Sequence, residues 1–176
     1  MITKIKLSVI VTLTVLISAC SNNEKTESKE AKPVSENKYT TSLRETAERV
    51  SKQIQEKDTS FLSCIDSSFA ITARGYTEII GPDLDRFKKE AKAMFSDTAT
   101  NITTIYTVEK TEAGSVEPVW AGFDQGTFSQ TEVSKDGKYN RKIVGPYYRA
   151  WKLVDGQWKC YLVVHMAYTC EGNGCK

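Results

Sequence analysis

The sequence predicts an α+β fold, with helices packed on one face of a curved antiparallel sheet. Three observations predict it. Apolar residues recur at helical spacing through the first half of the domain, between residues 42 and 95. Apolar and polar residues alternate with period two after Asp97. Turn dipeptides, Asp136-Gly137 and Asp155-Gly156, then punctuate that second half. Helices first and strands later describe an α+β plan.

Ser42-Leu43-Arg44-Glu45 reads as a capping box, in which Ser42 satisfies an early backbone N–H and Glu45 reaches back. Leu43, Ala47, Val50 and Ile54 then share one face of a first helix. Asp58 and Thr59 end it and cap a short second helix, Ser60 to Ile65. Phe69 to Ala73 reads as a strand stopped by Gly75. Gly81-Pro82-Asp83 opens a third helix, whose stripe is Leu84, Phe87, Ala91, Met94 and Phe95. Residues 102–109 alternate as a strand. Val119 to Phe128 forms another, and its Gly122 and Gly126 mark bulges or sharp curvature. Tyr147 to Leu153 and Trp158 to Tyr168 are two more, joined by a hairpin at Asp155-Gly156.

The N-terminus carries a different signal. Lys4 and Lys6 precede an apolar run from Leu7 to Leu16, followed by Ile17-Ser18-Ala19-Cys20. The run is shorter than the roughly 20 apolar residues that span a bilayer. Charge, apolar stretch and small residues make a cleavable signal, and the placement of Cys20 resembles the lipobox of bacterial lipoproteins. That resemblance implies cleavage before Cys20, lipidation of Cys20 and a cell-envelope location. In a Gram-negative cell, Ser21 implies the outer membrane, facing the periplasm. Residues 1–19 are then a signal peptide, and residues 20–40 a lipidated Cys and a polar, disordered tether rich in Glu and Lys. Residues 41–168 form one domain and residues 169–176 a Cys-containing tail. Removing Lys4 and Lys6 lowers Lys+Arg from 24 to 22, equal to Asp+Glu, so the mature chain is formally neutral. Neutrality gives no electrostatic reason to expect nucleic acid.

The domain resembles the nuclear transport factor 2-like (NTF2-like) superfamily, including its SnoaL-like and DUF4440-type groups. Ala47 to Phe69 is similar to that family's opening, and Gly81-Pro82-Asp83 with Phe87 to its third helix. Gly145-Pro146-Tyr147-Tyr148-Arg149-Ala150-Trp151-Lys152, followed by Asp155-Gly156-Gln157-Trp158-Lys159, is similar to its C-terminal hairpin. The resemblance covers residues 42–168. It implies a cone of three N-terminal helices on a strongly curved antiparallel sheet, with a cavity inside. It does not select among the family's enzymes, scaffolds and binding modules.

Candidate site residues follow from type and position. Asp66, Asp124 and His165 are the acid/base candidates. Tyr76, Tyr106, Trp120, Asp124, Tyr148 and Arg149 are candidate polar groups of a pocket otherwise lined by Phe87, Phe95 and Phe123. Arg149 has a structural alternative, pairing with Asp124 or Glu109 across strands. Period two places Trp158, Cys160, Leu162, Val164 and Met166 on one face. With Trp158 turned to the helices, as the resemblance implies, His165 points away from them unless a bulge intervenes. One histidine and scattered cysteines supply no obvious zinc set, and no cofactor is indicated.

Cys64, Cys160, Cys170 and Cys175 are disulfide candidates in an oxidising compartment. A Cys170–Cys175 ring would stabilise by about 2 kcal/mol and a Cys64–Cys160 link by about 4.7 kcal/mol on loop entropy alone. Three functional readings stay open. The first is a non-catalytic envelope module binding a small apolar ligand or a partner protein. The second is an isomerase- or lyase-type enzyme. The third is a structural homodimer using Val144, Tyr161 and Val163 on the open sheet face.

Overall fold

The computed structural model describes residues 37–73 and 76–175, with the backbone alone for 76–79. The expected signal peptide, Cys20 and nearly all of the expected tether lie outside them. Helix α1 spans Lys38–Gln55 and buries Thr40, Leu43, Ala47, Val50 and Ser51. It starts four residues before the expected box, so residues 38–40 belong to the domain rather than to the tether. Its cap is Asn37, whose Oδ1 accepts from the N–H groups of Tyr39 and Thr40, both at 2.9 Å. Ser42 instead accepts from Trp158 Nε1 at 3.0 Å, tying the helix to the sheet. Asp58 caps the next segment as expected, accepting from Ser60 N at 2.9 Å. That segment, Thr59–Cys64, is a 3-10 turn.

The three expected helices are therefore two α-helices and 3-10 turns. The second, α2, spans Leu84–Ser96 after a 3-10 turn at Gly81–Asp83. Its apolar stripe packs Phe87 on Phe69 and Phe95 on Phe61, at ring separations of 5.5 and 5.9 Å.

The sheet comprises β1 (Ile65–Ala73), β2 (Tyr76–Ile79), β3 (Thr100–Ala113), β4 (Ala121–Ser134), β5 (Asn140–Val154), β6 (Gln157–His165) and β7 (Thr169–Glu171). Its order is β2-β1-β6-β5-β4-β3, with β7 continuing beside β5 where β6 has ended. It is mixed rather than wholly antiparallel, because β1 runs parallel to β6. The tail adds a strand, and its Cys170 and Cys175 are disulfide-bonded, while Cys64 and Cys160 are buried free thiols.

β5 is twice the expected length and continues through Pro146. A residue in an antiparallel strand turns its N–H and C=O to the same side. The Pro146 carbonyl accepts from Met166 N at 3.0 Å, so the missing donor faces the gap between β6 and β7. A proline costs least where no ladder partner waits.

Bulges bend the sheet and reset which face each residue occupies. In β3 the register shifts between Val108 and Lys110, opposite Gly126. A Cβ on Gly126 would stand 1.9 Å from the Thr107 carbonyl oxygen, so only glycine fits that approach. In β6 the register shifts so that Ala150 pairs with Leu162 and Trp151 with Cys160, leaving Tyr161 as the extra residue. Cys160 and Val163 then both join the core, and His165 follows them inward. The expected period-two face is broken at this point. Val163 is 8 % exposed, so it cannot supply the apolar contact of a homodimer.

Candidate functional site

Helices α1 and α2, strand β1 and the inner face of the sheet line an open-mouthed cavity of about 410 Å³. Its helical wall is mostly apolar, with Val50 and Ile54 from α1 and Phe87, Ala91, Met94 and Phe95 from α2, and Glu90 of α2 is that wall's one charged group among the described residues. The sheet wall carries the polar groups Thr104, Tyr106, Gln130, Arg149 and His165. A second hollow of similar volume, lined by Ser42, Arg49, Trp158 and Lys159, is a polar surface groove. Small-molecule sites are mostly apolar with a few convergent polar groups, which is the character of the first.

Arg149 and Asp124 face each other across β4 and β5. Arg149 Nε donates to both carboxylate oxygens, at 3.0 and 3.1 Å, and Nη2 to Oδ2 at 2.8 Å. Asp124 is fully buried and also accepts from Tyr147 Oη at 2.8 Å and Trp151 Nε1 at 2.5 Å. Arg149 Nη2 reaches the Ala47 carbonyl and Ser51 Oγ at 3.2 and 3.0 Å, clamping α1 to the sheet. The cross-strand alternative for Arg149 is thus realised with Asp124. Both oxygens of this carboxylate are thus occupied by protein donors. Arg149 Nη1, in contrast, is buried and has no hydrogen-bond partner among the described residues.

His165 and Tyr106 meet at the cavity wall, with Tyr106 Oη 2.8 Å from His165 Nε2. The His165 ring lies 4.3 Å from Phe128, and Tyr106 packs edge-on to Tyr147 at 4.9 Å. Burial, and then the nearby Arg149 charge, lower the His165 pKa below its ordinary value. The imidazole is therefore neutral at pH 7. Burial pushes the Tyr106 hydroxyl up to about 12, so it too is uncharged. The pair can donate and accept hydrogen bonds without carrying charge.

The remaining candidates are elsewhere. Asp66 does not line the cavity. Burial would raise its pKa, but Lys152 Nζ at 2.8 Å and two bonds from Ser68 hold it lower. Trp120 is 72 % exposed beyond the start of β4, and β2 places the Tyr76 backbone at the sheet edge. Tyr148 stacks on Phe123 at 5.4 Å on the opposite face from Arg149, since neighbouring strand residues alternate. The sequence carried a usable signal for the missed Tyr147 and Trp151, which share one face with Arg149 by period two. Gln130 and Thr104 had no such signal. Among the described residues, no three His, Cys, Asp or Glu side chains gather as a metal site.

No protein-family model matches the chain, and no curated protein matches it. Solved structures do. A conserved protein of Planctomyces limnophilus aligns at a TM-score of 0.56 and 15 % identity, over 74 % of this chain and 96 % of that one. A ketosteroid isomerase-like protein of Erwinia carotovora aligns at 0.55 and 9 %, over 78 % and 98 %. An NTF-2 like protein of unknown function from Shewanella oneidensis aligns at 0.50 and 12 %, over 72 % and 97 %. Likeness at these identities is likeness of fold.

Proposed function

This chain has the NTF2-like fold, and we propose that it is a lipid-anchored cell-envelope protein whose cavity binds one small, largely apolar molecule. The observation that carries the binding reading is the cavity itself. About 410 Å³ of space is walled by aliphatic and aromatic side chains. Apart from Glu90 of α2, its polar groups lie on the sheet side, where His165, Tyr106 and Arg149 converge. The Asp124–Arg149 pair is already neutralised internally. The uncommitted donors at Nη1 therefore suit a neutral hydrogen-bond acceptor rather than a countercharge. The anchor rests on the segment from Lys4 to Cys20.

The test is calorimetric titration with 2-naphthol, a flat apolar ring system with one hydroxyl. Wild-type chain binds one equivalent with a negative heat-capacity change, the mark of apolar burial. Ala91 lines the cavity from α2, and the Ala91→Phe chain fills the space and binds none. Equal binding by a folded Ala91→Phe chain would contradict the proposal.

The hydrogen-bonded His165–Tyr106 pair favours a second reading, in which a neutral imidazole acts as base on a small apolar substrate. The named likeness of one structural neighbour to a ketosteroid isomerase supports asking for proton abstraction beside a carbonyl. Wild-type chain would then accelerate α-proton exchange of cyclohexanone in heavy water, and His165→Gln would not. No acceleration by the wild type leaves the binding reading alone.

A further inference from the structure

The loop joining β3 to β4 exposes large apolar side chains at one pole of the domain. Val116 is 80 % and Trp120 72 % exposed, the two highest values for large apolar side chains among the described residues. Leu153 N donates to the Trp120 carbonyl at 3.1 Å, which brings the half-exposed Val154 at the end of β5 alongside. The same loop is bonded to the start of α1. Asn37 Nδ2 donates to the Ala113 carbonyl at 3.3 Å, and Ala113 N donates to Thr40 Oγ1 at 3.1 Å. Lys38 Nζ pairs with Glu117 at 3.3 Å, and the Tyr39 hydroxyl donates to the same carboxylate. The exposed tryptophan therefore sits at the pole where the chain enters the domain from Cys20.

We propose that this pole docks on the bilayer that holds the acyl chains of Cys20, with Trp120 at headgroup depth and Val116 beside it. The inference rests on the lipid-anchor reading. Sixteen residues separate Cys20 from Asn37, a length that spans about 22 Å on average as a flexible chain and about 55 Å at full stretch. The tether thus keeps the pole within reach of the surface, and a contact too weak to hold a free protein becomes effective at that local concentration. An amphipathic indole favours the interface between headgroups and hydrocarbon. The charges flanking it, Lys38 and Glu117, are paired with each other, so the contact needs no anionic lipid.

The protein supplies its own probe, because Trp151 and Trp158 are buried at 0 % and 4 % exposure and the chain has three tryptophans. The lipidated chain is reconstituted on phosphatidylcholine vesicles containing lipid brominated near the top of one acyl chain. Flotation is measured first and tryptophan emission second. The proposal expects wild-type chain to float and to lose emission against unbrominated vesicles. Trp120→Phe should float equally and lose none. Flotation without quenching overturns the docking and leaves the anchor standing. Protection of Trp120 from aqueous iodide without quenching by lipid assigns the pole to a protein partner or second copy, and also overturns it. A wild-type chain that fails to float removes the anchor, and the inference with it.

Discussion

Asp124 is buried and His165 half-buried, and the fold uses these two ionisable groups differently. Asp124 compensates Arg149, and Asp124→Ala leaves that guanidinium buried without its counter-ion. Breaking a buried pair from one side costs about 3–5 kcal/mol, and urea unfolding of Asp124→Ala should show a loss of that size. A loss under 1 kcal/mol would mean that the pair is not the keystone between α1 and the sheet. His165 is kept neutral, with Tyr106, Phe128 and Arg149 facing it. Its folded pKa lies below the ordinary 6.5, so the unfolded chain binds the proton first as pH falls. Stability from this group is fully present above pH 6.5 and is lost as pH falls through the folded value. Asp66 and Glu132, both held low, weaken the fold at still lower pH in every variant. The difference in unfolding free energy between wild type and His165→Gln should therefore change with pH below 6.5 and stay flat above it. A flat difference throughout would place His165 in water.

At the scale of elements, reading by period succeeded where a strand is regular and failed where it is bulged. Asp155-Gly156 was legible because both residues must take positive φ, and they do, at 50° and 74°. His165 was read outward because nothing in residues 158–165 announces that Tyr161 is the extra residue. The bulge follows from pairing with β5, a tertiary event. The parallel pairing of β1 with β6 was equally hidden, since it joins segments almost a hundred residues apart. The start of α1 was misread for a local reason: Asn37 lies in a polar stretch that gives no apolar period to follow. Asn37→Ala should cost about 1 kcal/mol, the usual worth of an N-cap, measured by urea unfolding. A variant with unchanged stability would return the cap to Ser42.

At the scale of the whole molecule, two α-helices and 3-10 turns among the described residues close one face of a bulged seven-stranded sheet without filling it. Fold class and hairpin order were legible from apolar spacing and turn residues. The cavity was expected only from the family resemblance, because volume left between elements is a property of their packing and has no local pattern. The candidate site was half legible for the same reason: Tyr106, Arg149 and His165 line it, whereas Trp120 and Tyr148 turned out to face elsewhere. On the proposed function, this space holds a small molecule. The most direct measurement is native mass spectrometry of the full chain purified from cells, for wild type and Ala91→Phe side by side. The expected result is one small-molecule adduct on the wild type and none on the folded variant. A wild-type chain that is empty, or an adduct that survives Ala91→Phe, would contradict it.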